Sequence, residues 1–492
     1  MPLIPINLPP GQYRNGTEYQ SQGRWRDANL IRWHEGALRP VGGWRQRGSV
    51  DISGVVRTMV AWEDNTNNRR IAFGTHDKLY AMNSGDVVSD ITPAGFTAGR
   101  VDATAFTGFG GGPYGDDLYG LPRPDTGSVL PATTWSLDNF GEYLLGCTAD
   151  DGKIYQWQLS GGTPAAVLSN APTSCSGMMV TEERFVFAFG AGGDPRKISW
   201  SDREDNNTWT AATTNEAGDI QLQTNGVILK GLRTRGQALI LTDQDAHAAT
   251  YSGPPYVYGF ERVGTSCGLI AANAAASVDA GVIWMGQRSF FVYSGGAVQE
   301  LPCDVADYVF SDINIDQKSK VHAVVNSRFS EIWWFYPSAS STECDSYVSF
   351  DYAEQIWTTG TIDRTAGVDR GVFRQPFWIA ADGTLYEQEI GFDYGNQTPF
   401  AETGPIAIGV GEQVMSVRGM IPDENTLGDV NATFKTRFYP TDTERDYGPF
   451  SMANPTSFRF TGRQIRMRIT GDASSDWRVG IMRLDAVAGG RR

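Results

Sequence analysis

A strand–turn–strand unit recurs along most of this chain and limits its possible folds more than any other feature. Each copy has an apolar, aromatic-rich strand, a turn and a strand that ends in an aromatic residue, as in RRIAFGTHDKLYAMNSG (69–85) and FWIAADGTLYEQ (377–388). The closing aromatics are Tyr80, Tyr155, Trp200, Tyr251, Tyr293, Phe350 and Tyr386. Most of them are separated by roughly 40–50 residues, the length of one four-stranded propeller blade.

The repeat therefore predicts an all-β chain in which residues 48–392 form a β-propeller of about seven blades. Six or eight blades would also fit the spacing. The one much longer interval contains a Gly- and Pro-rich stretch, 107–131, which we interpret as an inserted loop. Two copies carry Asp-Gly at their turns, Asp151-Gly152 and Asp382-Gly383, and this pair is typical of type I′ hairpins.

The repeat stops after residue 392, and a different pattern follows. In QIRMRIT, the apolar Ile465, Met467 and Ile469 alternate with arginines, which predicts a half-buried strand. We expect residues 393–492 to form a C-terminal antiparallel β-sandwich. At the other end, residues 1–47 contain RWRDANLIRWHEGALRPVGGWRQR, which predicts an N-terminal docking hairpin with tryptophan anchors. A chain without residues 1–47 should then keep a folded propeller.

The charge distribution and the absence of known motifs exclude several functions. The net charge is −15, and the acidic excess lies in residues 51–400, so the chain lacks the clustered Lys and Arg that grip nucleic acid. No apolar run reaches the roughly 18 residues of a membrane helix, and the N-terminus does not resemble a signal peptide. The five cysteines are too far apart for zinc or redox motifs and are expected to be buried, reduced thiols.

Catalytic patterns are also missing. The four histidines are scattered, and no nucleophile elbow, phosphate-binding loop or calcium loop occurs. His247 lies two residues after Asp245, a proximity that is more often structural than catalytic. The stretch SWSDREDNNTW (199–209) is similar in composition to a sialidase aspartate box. However, its Ser, Asp and Trp do not have the spacing of that motif, and the stretch is not repeated in the chain. We therefore expect no enzymatic activity, no metal and no cofactor.

The segment RWRDANLIRWHEGALRPVGGWRQ (24–46), leading into propeller repeats, resembles the tail nozzle proteins of short-tailed bacteriophages (podoviruses). These are also called packaged-DNA stabilisation or tail tube B-type proteins. ISWSDREDNNTW (198–209), RQIRMRITG (463–471) and DWRVGIMRLD (476–485) are similar to further parts of that family. The likeness is one of architecture over most of the chain, with local motifs at both ends and around 199–209.

The resemblance implies a structural virion protein of the phage tail, made in the host bacterial cytoplasm. It would form a homohexameric ring that extends the portal–adaptor channel, retains packaged double-stranded DNA and lets it pass on ejection. The implied partners are other copies of the chain, the tail adaptor, and tail fibres or a needle or tip protein. DNA would pass without sequence-specific binding, and no part would span a lipid membrane. An acidic lumen would repel the DNA and keep it sliding.

Two sets of residues are candidates for contacts. Arg and Trp are favoured at interface hot spots, so the first set, for subunit or adaptor contacts, is Arg24, Trp25, Arg26, Arg32, Trp33, Arg39 and Trp44. The alternative is that the tryptophans only fix the N-terminal hairpin to the propeller. The second set is in the inserted loop and would gate the channel or contact a partner: Tyr114, Asp116, Asp117, Tyr119 and Arg123.

Two other functions stay open. The chain could be a receptor- or glycan-binding propeller, as in a phage adhesin or a bacterial surface module. A cluster of basic or aromatic residues on one propeller face would favour that function. It could also be a glycosidase, which predicts hydrolysis that is lost when paired carboxylates are changed.

Overall fold

Seven four-stranded antiparallel sheets make up most of the chain in a computed structural model, which describes residues 3–49, 52–105, 129–406, 413–471 and 475–490. The first strands of consecutive sheets pack against each other, and the seventh packs against the first. The sheets are therefore the blades of a closed ring. Radial repetition of this kind leaves few exposed strand edges. The prediction of an all-β propeller of about seven blades is confirmed.

The blades are numbered from the first complete sheet, and the strands of each are given from the axis outward. Blade 1 comprises Thr58–Glu63, Arg69–Gly74, Leu79–Met82 and Val88–Asp90, and blade 2 comprises Trp135–Phe140, Tyr143–Thr148, Ile154–Trp157 and Ala166–Val167. Blade 3 comprises Gly177–Val180, Val186–Phe189, Lys197–Trp200 and Gly218–Gln221, and blade 4 comprises Ile228–Thr234, Gln237–Thr242, Asp245–Gly253 and Val257–Thr265. Blade 5 comprises Ala275–Val278, Gly281–Met285, Phe290–Ser294 and Ala297–Leu301, and blade 6 comprises His322–Asn326, Glu331–Pro337, Cys344–Asp351 and Ile356–Thr361. Blade 7 comprises Ala366–Val368, Phe377–Ile379, Thr384–Gln388 and Trp44–Ser49.

Aromatic side chains fill the spaces between blades. Each of the seven closing aromatics lies on the third strand of a different blade. Between blades 5 and 6, the ring of Phe290 lies 4.9 Å from that of Trp334 and 4.6 Å from that of Trp357, centre to centre. Burial of such large rings is the main favourable contribution to packing one blade on the next.

The ring is closed by a strand from the other end of the sequence. Trp44–Ser49 supplies the outermost strand of blade 7 by pairing with Thr384–Gln388. The first and last blades are thus held together by backbone hydrogen bonds, and the propeller begins before residue 48.

A β-sandwich lies against the rim of the propeller and uses both ends of the chain. One sheet has the order Leu3–Ile6, Met482–Ala488, Met415–Ile421 and Thr456–Gly462, and the other has Trp25–Asn29, Phe400–Thr403, Gln464–Gly471, Val430–Arg437 and Arg445–Ser451. Ile465, Met467 and Ile469 are buried between them, as the alternation predicts.

This arrangement divides residues 1–47 differently from the sequence-based scheme. Leu3–Ile6 and Trp25–Asn29 are strands of the sandwich, and only Ile31–His34 with Ala37–Pro40 forms a hairpin of its own. Pairing between strands more than 370 residues apart leaves no local signal in the sequence. The structure leads to the opposite expectation for a chain without residues 1–47, because both the sandwich and blade 7 would lose strands.

The two Asp-Gly turns also differ from the prediction. A type I′ turn needs positive φ at both central residues, but only the glycines have it, with φ +67° at Gly152 and +81° at Gly383. The prediction of type I′ turns is wrong, since a single left-handed glycine ends each turn instead.

Helices are few and short in the described part of the chain. One α-helix spans Ala306–Asp312, and 3-10 helices span Glu18–Ser21, Ala191–Gly193 and Ile315–Lys320. None of the helices in these residues is long and apolar enough to cross a membrane. A further short hairpin, Thr104–Ala105 with Val129–Leu130, forms the base of the inserted loop.

Candidate functional site

The predicted contact tryptophans of the N-terminal segment lie inside the protein or half inside it. Trp25 and Trp33 are buried in the sandwich core with their rings 6.1 Å apart. Trp44 is half-buried in blade 7, where its ring meets those of Tyr386 and Tyr394. The alternative, in which the tryptophans fix the hairpin to the propeller, fits Trp44, whereas Trp25 and Trp33 fix the segment to the sandwich.

Arg32 is also buried, and it connects the N-terminal hairpin to two blades. Its guanidinium donates two hydrogen bonds of 2.8 Å to Glu331 of blade 6, and bonds of 2.6 and 3.0 Å to Glu389, directly after the third strand of blade 7. All three side chains are at most 6% exposed. We call these three residues the Arg32 clamp.

Additional donors complete the clamp. Glu331 accepts a hydrogen bond from the indole of Trp333, and Glu389 accepts one from Asn326 and one from the backbone of Gly42. Burial raises the pKa of Glu331. Burial acts in the same direction on Glu389, but Arg32 and the other donors outweigh it, so the pKa of Glu389 is lowered.

The remaining three arginines of the predicted set are closer to the surface. Arg24 pairs with Asp304 at 3.2 Å, and Arg39 pairs with Asp476 at 3.0 Å. Arg26 is half-buried, and burial and then the nearby Arg14 lower its pKa. Of the seven candidates, these three arginines and the half-buried Trp44 keep some exposed surface, while Trp25, Arg32 and Trp33 are enclosed by this chain.

The candidate loop residues Tyr114, Asp116, Asp117, Tyr119 and Arg123 lie outside the described residues. The base of their loop is described. It lies where the first strands of the blades begin, at one mouth of the central channel.

A bowl of about 1040 Å³ lies at this mouth. Its wall is built from the segments that precede the first strands of blades 2 to 6, together with the turns between the second and third strands of blades 2, 4 and 5. Three aliphatic side chains in this wall are exposed to solvent: Val129, Val227 and Ile315. Solvent-exposed aliphatic groups on several neighbouring loops form the kind of patch that a partner covers.

The polar groups of the bowl are mostly paired within the chain. Asp150 accepts hydrogen bonds from Arg100 and Thr133. Asp243 accepts a 2.7 Å bond from the backbone of Val227, and Ser319 accepts one from the backbone of Ala132. The described lining contains no histidine or cysteine. Sequence reasoning missed the bowl because its residues come from loops that are far apart in the sequence.

The channel beneath the bowl is occupied by side chains. Asn273, which precedes blade 5, donates a 2.9 Å hydrogen bond to Thr58 on the far side of the ring in blade 1. Lys230 of blade 4 donates to Asn273 at 3.3 Å, and burial lowers the pKa of this lysine. Among the residues that the structure describes, polar side chains therefore bridge the axis of a single propeller.

Other sequence features also have structural explanations. His247 is buried in blade 4 beside Asp245, whose carboxylate is held by Thr242 and Thr224. The segment 199–209 forms a turn after the third strand of blade 3, closed by the hydrogen bond from Asp202 to Thr208. Among the residues that the structure describes, no group of three or more His, Cys, Asp or Glu could hold a metal ion.

Comparison with known proteins adds little to this picture. No protein-family model and no curated protein matches the chain. Among solved structures, virginiamycin B lyase from Staphylococcus aureus is similar at a TM-score of 0.42 and 8% identity, over 70% of this chain and 98% of that one. The WD40 domain of Neurospora crassa Pan2 gives 0.38 and 10%, over 70% and 94%. Similarity at this level carries no information about a site or a reaction.

Proposed function

We propose that this chain is a non-catalytic β-propeller that binds other macromolecules as a structural subunit of a larger assembly. The bowl is the observation that carries the proposal. Val129, Val227 and Ile315 provide an apolar centre, and Asp150 and Asp243 beside them already have partners within the chain. An apolar centre with a polar rim is the anatomy of a protein interface.

The assembly that we propose is the tail nozzle of a short-tailed phage. Support comes from the resemblance of segments 24–46, 198–209 and 463–485, together with the order of a propeller and a sandwich in one chain. In such a ring, double-stranded DNA would pass between the copies, because Asn273, Lys230 and Thr58 occupy the propeller's own channel. The acidic surface of residues 51–400 would keep that DNA from adhering.

A receptor- or glycan-binding propeller is the second candidate. The same bowl favours it, since a concave mouth at the end of a closed β-structure is a common place for ligands. The two candidates differ in what they predict for particles. A nozzle protein has a small copy number in a fixed ratio to the portal protein, whereas a receptor-binding protein has the same copy number as the fibres.

The deciding experiment counts copies in purified virus particles by quantitative mass spectrometry, normalised to the portal protein. With the portal as a ring of twelve, a ratio near one to two supports the nozzle. Absence from particles, or a ratio equal to that of the receptor-binding fibres, excludes the nozzle function. The receptor- or glycan-binding function would then be tested on a glycan array.

A variant experiment tests the bowl in either assembly. The double variant V227D/I315D should fold normally, because both side chains are exposed, but it should fail to join its partner. Tyr256 is 82% exposed on the opposite face of the propeller, so Y256D is the matched control and should assemble like the wild type. If V227D/I315D also assembles normally, the bowl is not the contact surface.

The acidic surface gives a further check. The isolated protein should show no steep salt-dependent binding to double-stranded DNA, because such binding requires clustered cations. Nanomolar affinity at physiological salt would contradict the sliding role.

A further inference from the structure

Four arginines surround a groove between blades 7 and 1, on the propeller face opposite to the bowl. The groove has a volume of about 430 Å³. Arg45 and Arg47 come from the strand that closes the ring, Arg69 begins the second strand of blade 1, and Arg374 lies on the first turn of blade 7. We call it the seam groove, because it lies where the first and last blades meet.

Two of these arginines already hold a carboxylate. Glu387 accepts hydrogen bonds of 2.5 Å from Arg45 and 2.9 Å from Arg47, and Arg47 also pairs with Asp86 at 3.0 Å. The guanidinium of Arg47 lies 5.0 Å from the ring centre of Phe377. The groove therefore presents guanidinium groups in a geometry that suits a carboxylate.

The other two arginines are unneutralised. Arg69 and Arg374 are exposed, and the side chain of neither has an ion pair or hydrogen bond with any residue that the structure describes. With four arginines against Glu387 and Asp86, the groove is a positive area on a chain whose net charge is −15. Unpaired arginines that face a groove beside paired ones are poised for a second anion.

We propose that the seam groove binds an acidic segment of a partner protein, whose carboxylates meet Arg69 and Arg374. A carboxylate is favoured because Glu387 shows how one is held in this groove. Nucleic acid is disfavoured, because a DNA duplex carries one charge per about 1.7 Å of its axis and would be repelled by a chain with a net charge of −15. The proposal does not depend on the proposed function, since the seam groove and the bowl are on opposite faces.

A second consequence concerns stability. Arg69 belongs to blade 1 and Arg374 to blade 7, so one ligand that meets both would cross the closure of the ring. Any ligand that binds only the folded ring stabilises it by mass action. The acidic segment should therefore raise the melting temperature as well as bind.

The test uses a fluorescein-labelled peptide of eight glutamates and the full chain, at low salt, with fluorescence anisotropy as the readout. The wild type should bind, and R69Q/R374Q should weaken binding by about tenfold or more, because charge-assisted contacts are lost. Arg288 is exposed on blade 5 without a contact to the described residues, so R288Q should change the affinity by less than about twofold. Circular dichroism of the variants should match the wild type.

Three results would overturn the proposal. One is that octaglutamate does not bind or does not raise the melting temperature. Another is that R69Q/R374Q and R288Q bind it equally well. The third is that a single-stranded DNA 8-mer or inorganic phosphate binds more tightly than octaglutamate and depends on Arg69 and Arg374, which would assign the groove to phosphate.

Discussion

The Arg32 clamp gives the sharpest test of how the N-terminal segment is held. Replacing Arg32 with methionine removes four hydrogen bonds of 2.6–3.0 Å and leaves Glu331 and Glu389 buried without a cation. Breaking a buried ion pair by removing one partner costs about 3–5 kcal/mol, because the remaining charge stays desolvated. We expect R32M to lower the free energy of unfolding by that amount at neutral pH.

The cost should depend on pH in a defined direction. Without Arg32, both glutamates are buried and unpaired, so their folded pKa values rise above the unfolded value of about 4.3. Groups with raised pKa values stabilise the folded state at low pH and lose that contribution as pH rises through the folded pKa. The difference between R32M and wild type should therefore shrink as pH falls from 7 towards about 4.5.

Urea unfolding followed by tryptophan fluorescence measures both effects. Arg45 also pairs with a glutamate, but its side chain is 67% exposed, so R45M should cost less than about 1 kcal/mol. Adding E331Q and E389Q to R32M should restore most of the loss, because no buried charge remains. The stabilising role of the clamp would be refuted if R32M lowered the free energy of unfolding no more than R45M does. It would also be refuted if the loss in R32M stayed constant between pH 7 and 4.5.

Four further predictions concern other parts of the structure. Burial lowers the pKa of His322 to about 3, so between about pH 6.5 and pH 3 this histidine is protonated in the unfolded chain but not in the folded one. The free energy of unfolding should therefore fall as the pH drops from 6.5 towards 3, and it should fall less steeply in H322F. The cysteines are buried except for the half-buried Cys303, so a thiol reagent should label at most this one in the native protein and all five after unfolding. G281A should lower stability by about 1–3 kcal/mol or more, since φ is +136° and the added Cβ would lie 2.1 Å from the carbonyl oxygen of Tyr293. Deletion of residues 1–47 should give an insoluble or partly unfolded chain, and a truncated chain with native circular dichroism and an unchanged melting temperature would contradict the strand assignments.

The propeller could be predicted from sequence because each blade is local. In blades 1 to 6 the four strands follow one another within a few dozen residues, as do the first three strands of blade 7, so the apolar periods and closing aromatics repeat in register with the blades. Tyr155 and Tyr386, for example, are on equivalent third strands, although the turns before them are not of the predicted type. The strand face with Ile465 and Met467 was predictable for the same reason, since alternation is a property of neighbouring residues.

The role of the N-terminal segment could not be predicted, because it depends on partners far away in the sequence. Arg32 has the appearance of a surface arginine in RDANLIRWHEG, and its burial follows only from Glu331 and Glu389, which are 299 and 357 residues away. The same holds for the bowl, whose exposed Val227 and Ile315 come together only when the ring closes. An isolated aliphatic residue in a loop gives no sign that others lie beside it.

The path of the chain joins its two structural units more tightly than a linker would. Leu3–Ile6 and Trp25–Asn29 are strands of the sandwich, Arg32 is clamped between blades 6 and 7, and Trp44–Ser49 closes the propeller. The chain then goes around the ring and returns to complete the sandwich from residue 400 onward. Loss of the sandwich would release the closing strand, and opening of the ring would release the sandwich strands. The two units should therefore unfold together, and the bowl on one face and the seam groove on the other keep a fixed relation. A protein built in this way can hold one partner on each face at a constant distance, which is what a subunit in the middle of a stacked assembly has to do.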